Sequence, residues 1–287
     1  MKRIYLLASA LAVALTTIAQ TDTTKTTVDT TITSSADTIR VGQFTIIKKN
    51  KQGSGSSSQI NIEKRKPSRP SNLSTNWWIL DLGFANVIDK TTYGSPAANE
   101  YLRAGAGQPF TKDDLRLRTG KTSNVNLWIL MQRLNVHKGI VNVKYGVGLE
   151  MFNFRYESNL SYRNPAGQAP YIFRDSINFT KNKLYAGYLS VPLMLNLNTT
   201  PGRKKGLSLS AGVSAGYLIG SRNKQISGER GKEKIRGDFD LEKFRLAYIG
   251  EIGMGPIRLF GSYSMTPLHE RGLEQYPYSV GIRLSNW

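Results

Sequence analysis

The chain has 287 residues, no cysteine, and a formal charge of +19 from 39 Lys and Arg against 20 Asp and Glu. The missing cysteines exclude disulfides, thiolate metal sites, cysteine nucleophiles and the lipid attachment point of a bacterial lipoprotein. The positive balance would suit nucleic acid, but the start of the chain routes it out of the cytoplasm. The expected anions are therefore the lipid phosphates and carboxylates of a bacterial surface, with many of the basic residues in solvated loops.

Met1-Lys2-Arg3, an apolar run from Ile4 to Leu15 and a small-residue exit near Ala19 read as a secretory signal peptide over residues 1–19. The apolar run is shorter than the roughly 20 residues a spanning helix needs. Residues 20–72 are expected to be a periplasmic tail and linker. Residues 20–36 are nearly all Thr, Ser, Asp and Ala, too polar to offset the entropy of ordering. DTIRVGQFTIIKK (37–49) holds enough Ile, Val and Phe for a short strand, and the Gly-, Ser-, Lys- and Pro-rich stretch 50–72 reads as a flexible, basic linker.

From residue 73 to residue 287 the pattern changes. Segments near 75–88, 122–136, 140–156, 183–198, 206–221, 242–253, 256–266 and 276–287 alternate apolar and polar residues, the mark of strands with two unlike faces. Val141, Val143, Tyr145, Val147 and Leu149 thus oppose Asn142, Lys144, Gly146, Gly148 and Glu150. In the second segment, Val125, Leu127, Ile129 and Met131 are expected on one face, and Asn124, Asn126, Trp128 and Gln132 on the other.

A soluble sandwich would turn the apolar face inward; a membrane barrel turns it outward around a polar interior. Three features favour the membrane barrel. The polar face is small and carries both charges: Asp81, Glu150 and Glu251 against Lys144, Arg245, Arg258 and Arg283. These are expected to pair as a lumen charge network, since eight strands leave just enough interior for side chains. Connections after the second, fourth and sixth segments are short and the others mostly long, the asymmetry of periplasmic turns and external loops. Aromatics such as Trp77, Trp78, Tyr185, Tyr217 and Tyr276 gather near segment ends. Trp287 resembles the C-terminal aromatic assembly signal read by the barrel assembly machinery. The fold expected is an all-β, eight-stranded antiparallel transmembrane barrel in a bacterial outer membrane, with both termini in the periplasm.

The stretches GKTSNVNLWILMQRLNVHKGIVNVKYGVGLEMFNFRYE (120–157), NWWILDLGFANVIDKT (76–91), YLSVPLMLNL (188–197) and GVSAGYLIGSR (212–222) resemble Bacteroidetes outer-membrane β-barrel proteins of the PorT-like group. The resemblance covers roughly residues 37–287. It implies the same fold and location, and through PorT a link to the protein secretion system of that phylum.

Candidate chemistry is sparse. Two distant histidines and no cysteines make no metal site, and no cofactor fingerprint is present. A lipid-A hydrolase would need a triad such as Ser264, His269 and a nearby Glu. Arg222, Lys224, Arg230, Lys232, Lys234 and Arg236 form the densest basic external segment, interleaved with acids, and are candidate contacts for lipopolysaccharide phosphates. The leading expectation is a barrel with a structural, adhesive or scaffolding role and no catalytic activity. Its partners would be membrane lipid, lipopolysaccharide, and a periplasmic or secretion-system protein. An accessory secretion role and a hydrolase using His269 are the alternatives.

Overall fold

The computed structural model describes residues 36–41, 44–49, 59–64, 72–104, 107–201 and 206–285. The signal peptide at 1–19 and Trp287 lie outside these residues. The chain divides into two compact units, residues 1–69 and 70–287. In the first, strands β1 (Ala36–Val41), β2 (Phe44–Lys49) and β3 (Gln59–Lys64) form an antiparallel meander. The segment read as one short strand at 37–49 is a hairpin, and a third strand stands within the stretch read as linker.

The second unit is a closed barrel. Its eight strands are β4 (Leu73–Asp89), β6 (Ser123–His137), β7 (Val141–Arg155), β10 (Phe179–Asn198), β11 (Leu207–Ser227), β13 (Phe244–Met254), β14 (Ile257–Ser264) and β15 (Gln275–Leu284). Each pairs antiparallel with its neighbour, and β15 closes the ring on β4. Closure leaves no strand edge in lipid, where an unpaired backbone group costs several kcal/mol. Leu189, Val191, Leu193, Leu195 and Leu197 of β10 are exposed to the outside, while Ser190 and Asn196 between them are buried inside. The same outward band recurs on β11, β13, β14 and β15. Water would not tolerate so wide an apolar surface, but a hydrocarbon slab matches it.

The turns at the lower rim are tight. Between β6 and β7, Lys138 and Gly139 both have positive φ, 47° and 74°, and Ile140 N donates to the His137 carbonyl at 2.8 Å. That is the hairpin turn whose twist matches the flanking strands. Met254-Gly255-Pro256-Ile257 reverses as tightly, with Gly255 at φ 69°. The long connections carry further structure: helix α1 (Pro96–Tyr101), and strands β5 (Leu102–Arg103), β8 (Leu160–Arg163), β9 (Tyr171–Arg174) and β12 (Gly231–Arg236). β5, β9 and β8 make a small sheet; β12 pairs with the upper part of β11.

Strict alternation fails on β11, where the inward phase shifts at Ile219 and Gly220 and the pairing with β10 slips by one residue, and on β4 and β6 together. Trp77 and Trp78 are both exposed, with Trp78 at φ 59°, and Asn76 and Ile79 are both buried. On the neighbouring strand the phase flips between Trp128 and Met131, both buried, around Ile129, where the pairing of β6 with β7 slips by one residue. The two irregularities face each other, so the register of β4 against β6 is kept while both side-chain phases reverse. Met131, expected to face outward, therefore faces the lumen, and Gln132, expected inside, does not.

Candidate functional site: a packed lumen beneath an external cap

All the charged residues assigned to the lumen are buried: Asp81, Lys144, Glu150, Arg245, Glu251, Arg258 and Arg283. Five of them form one cluster. Arg283 donates to both oxygens of Asp81 at 2.7 Å and to Glu251 at 2.7 Å. The other Glu251 oxygen accepts from Lys144, from Ser210 at 2.8 Å and from Arg258 at 3.4 Å. Trp128 Nε1 donates to Asp81 at 2.7 Å, and the Asn126 amide reaches the same oxygen at 3.2 Å. The remaining two stand higher: Arg245 donates to Glu150 at 2.8 Å, Ser190 donates to the same oxygen at 2.7 Å, and the guanidinium covers the Phe152 ring. Buried charges are tolerated because each finds an opposite charge and further hydrogen bonds.

Aromatics complete the filling, and glycines make room for them. Phe260, Gly281 and Gly83 lie side by side across β14, β15 and β4. A Cβ on Gly281 would come within 2.2 Å of the Leu82 carbonyl oxygen and 2.7 Å of the Phe260 ring. Trp128 lies across Gly148 in the same manner. At these two levels ring and glycine backbone pack directly against each other.

Above the barrel, the long connections fold into a cap. Tyr101, Leu102, Phe110, Leu115, Leu117, Tyr156, Leu160, Tyr162, Ile172, Phe239, Leu241, Leu268 and Leu273 are buried together, continuous with Phe152, Phe154 and Tyr188 at the top of the lumen. α1 starts at Ser95, whose hydroxyl accepts from Ala98 N at 3.2 Å, and Pro96 fits its first turn. The turn Lys112–Leu115 is closed by Thr111 and Asp114 as a capping box. Arg174 of β9 then clamps this loop. It reaches Asp114 at 2.8 and 2.9 Å, the Pro109 carbonyl at 2.9 Å, the Gln108 carbonyl, and the Phe110 ring at 4.4 Å.

His269 belongs to this cap core. It stacks on Tyr162 and tilts against Tyr101, and neither ring nitrogen makes a hydrogen bond among the described residues. Burial pushes its pKa down to about 3. Ser264 spends its hydroxyl on the Leu246 carbonyl. The nucleophile and base that the hydrolase alternative requires are not assembled: the histidine is sealed from solvent because its ring fills an aromatic cluster. No group of carboxylates and histidines spaced for a metal ion is found among the described residues.

Five of the six basic residues of the third long connection lie on strands, and Arg230 lies in the turn between them. Arg222 and Lys224 continue β11, and Lys232, Lys234 and Arg236 lie on β12. Arg230 departs from the set: it reaches across to Asp175 at 2.8 Å and ties the cap together. The run hid its strand character because its inward positions, Asn223, Gln225 and Ser227, are as polar as its outward ones.

A closed ring of eight antiparallel strands with a lipid-facing apolar band and a filled polar interior defines an integral β-barrel of the bacterial outer membrane. The sequence profile of the outer membrane protein beta-barrel domain family matches residues 122–269. The chain belongs to that family. No curated protein matches it. Among solved structures it matches the crystal structure of Ail, the attachment invasion locus protein of Yersinia pestis, at 12% identity and a TM-score of 0.27, over 73% of this chain and 98% of that one.

Proposed function

We propose that the protein is a non-conducting, non-enzymatic outer-membrane scaffold whose folded external cap is its interaction surface, in a structural or adhesive role. The observation that carries this reading is the cap core, continuous with a lumen filled from the Ile79, Trp128 and Met131 layer upward. A transport pore needs a wet path, and side chains occupy this one. A mobile-loop barrel would expose its apolar loop residues; here they are buried.

Two measurements on the full-length protein test it. Reconstituted in planar bilayers, it should give no unitary conductance, and steady single-channel openings would overturn the proposal. Surface proteolysis of intact outer membranes should leave residues 156–178 uncut, and rapid cleavage there would mean that no rigid platform exists. The PorT-like resemblance supports a narrower reading, an accessory of protein secretion. Deletion of the gene tests it: normal secretion would end it. The hydrolase reading gains no support from the sealed, unpartnered His269.

A further inference from the structure

On the external side of the apolar band, β7, β10, β11 and β12 continue as a four-stranded wall. Phe154, Leu184, Asn223 and Gln225 point inward and are buried, so the residues between them point outward. The pairing registers bring cations from different strands side by side. Arg155, Lys183, Lys224 and Lys234 are successive partners across all four strands. Two residues lower, beside the membrane, Asn153, Tyr185, Arg222 and Arg236 form the next row, with Arg222 over the Tyr185 ring. Two residues higher, Lys181 and Lys232 flank Ile226.

No carboxylate stands in these outward rows. Glu233, the acid of β12, pairs with the inward Gln225. None of the eight cations makes an ion pair among the described residues. Like charges directly opposite on a sheet repel. A fold does not gather such a surface for its own stability. Its height supplies the occupant. Ile219 and Leu189 still face lipid, and rows two residues apart on a tilted strand step up by roughly 5 Å. The rows therefore climb through the headgroup layer of the outer leaflet.

We propose that this ladder of cations binds the phosphate groups of the outer-leaflet glycolipid, lipopolysaccharide, held against the side of the barrel. Lysine and arginine grip phosphate through charge-assisted hydrogen bonds, and the lipid chains would lie along the apolar face of β10 and β11. Arg155, Lys181 and Lys183 join the site, and Arg230 does not belong to it.

The test uses the full-length protein in detergent and native mass spectrometry with bisphosphorylated and dephosphorylated lipid A. The triple variant Lys183→Gln, Lys224→Gln, Lys234→Gln removes the three lysines of the middle row. Lys90→Gln, Lys112→Gln, Lys121→Gln removes three exposed external lysines elsewhere. Bisphosphorylated lipid A should bind wild type and the second variant equally, and the first at least tenfold more weakly. Equal binding of dephosphorylated lipid A, or an equal loss in both variants, would overturn the proposal. The lipid-free unfolding midpoint of the first variant should be no lower than wild type, because mutual repulsion has been relieved. A variant that misfolds or melts earlier would show that the lysines serve the fold, which also overturns the proposal.

Discussion

Glu251 is the acceptor on which most of the lower lumen converges, and Glu251→Gln is the sharpest test of the packed interior. The substitution keeps the shape and removes the charge. The lumen then carries Lys144, Arg245, Arg258 and Arg283 against Asp81 and Glu150 alone. Removing one partner of a buried pair costs about 3–5 kcal/mol. Glu251 faces three cations, but Arg283 retains both oxygens of Asp81, so the single-pair range applies rather than its multiple. The assay is reversible urea unfolding from short-chain phospholipid vesicles, followed by tryptophan fluorescence, with Trp128 in the network as reporter. The expected result is a loss of about 3–5 kcal/mol in unfolding free energy with an unchanged urea slope. Adding Lys144→Met, which restores the charge balance, should recover about 2 kcal/mol of it. A loss below about 1 kcal/mol, typical of solvated pairs, would refute the reasoning: the lumen charges would be individually hydrated and the interior wet.

The cap should weaken in acid. An unfolded histidine protonates near 6.5 and the folded His269 only near 3, so the opened cap binds more protons between these values. Stability is complete above pH 6.5 and lost as pH falls, by about 2–3 kcal/mol at about pH 4.5. Hydrogen exchange of the cap amides should show this, and His269→Phe should flatten the dependence; an unchanged slope would place the titration elsewhere. Gly281→Val should prevent closure, since its Cβ has no space beside the Leu82 carbonyl and Phe260; loss of the heat-modifiable gel band reads this, and a normally folded variant would contradict it. Arg174→Ala should loosen the loop at 107–116 by about 1–3 kcal/mol, the worth of hydrogen bonds to a charged group. Faster protease cutting within that loop, with the barrel intact, is the expected readout.

The eight barrel strands were legible because lipid imposes a two-residue rhythm that survives in segments such as Val141 to Leu149. The lumen charges were legible for the same reason: they stand on the polar beat, and a narrow interior forces them together. Met131 was not, because an irregularity at Ile129 reverses the beat and no residue type announces it. The upper ends of β10 and β11, residues 179–182 and 222–227, were invisible because both faces there are wet or capped by polar groups and alternation carries no signal. The cap also escaped. Its core is assembled from single residues in four connections, Tyr101, Tyr162, Phe239 and Leu268 among them, and no local pattern links them. His269 looked reactive on a loop because sequence shows which residues are near in the chain, and burial is decided by residues that are far.

Arg283 and Asp81 are direct cross-strand partners at the seam where the last strand meets the first, 202 residues apart in the chain. That joint is the slowest to find its mate, since it closes the longest loop. A slip of two residues would set Arg283 opposite Gly83 or Ile79, neither of which can take its charge, and a slip of one would swing the guanidinium into hydrocarbon. The pair thus acts as a key cut for one lock. It penalises every wrong zippering of the cylinder, and fidelity of assembly is enforced at the single joint that local hairpins cannot proofread.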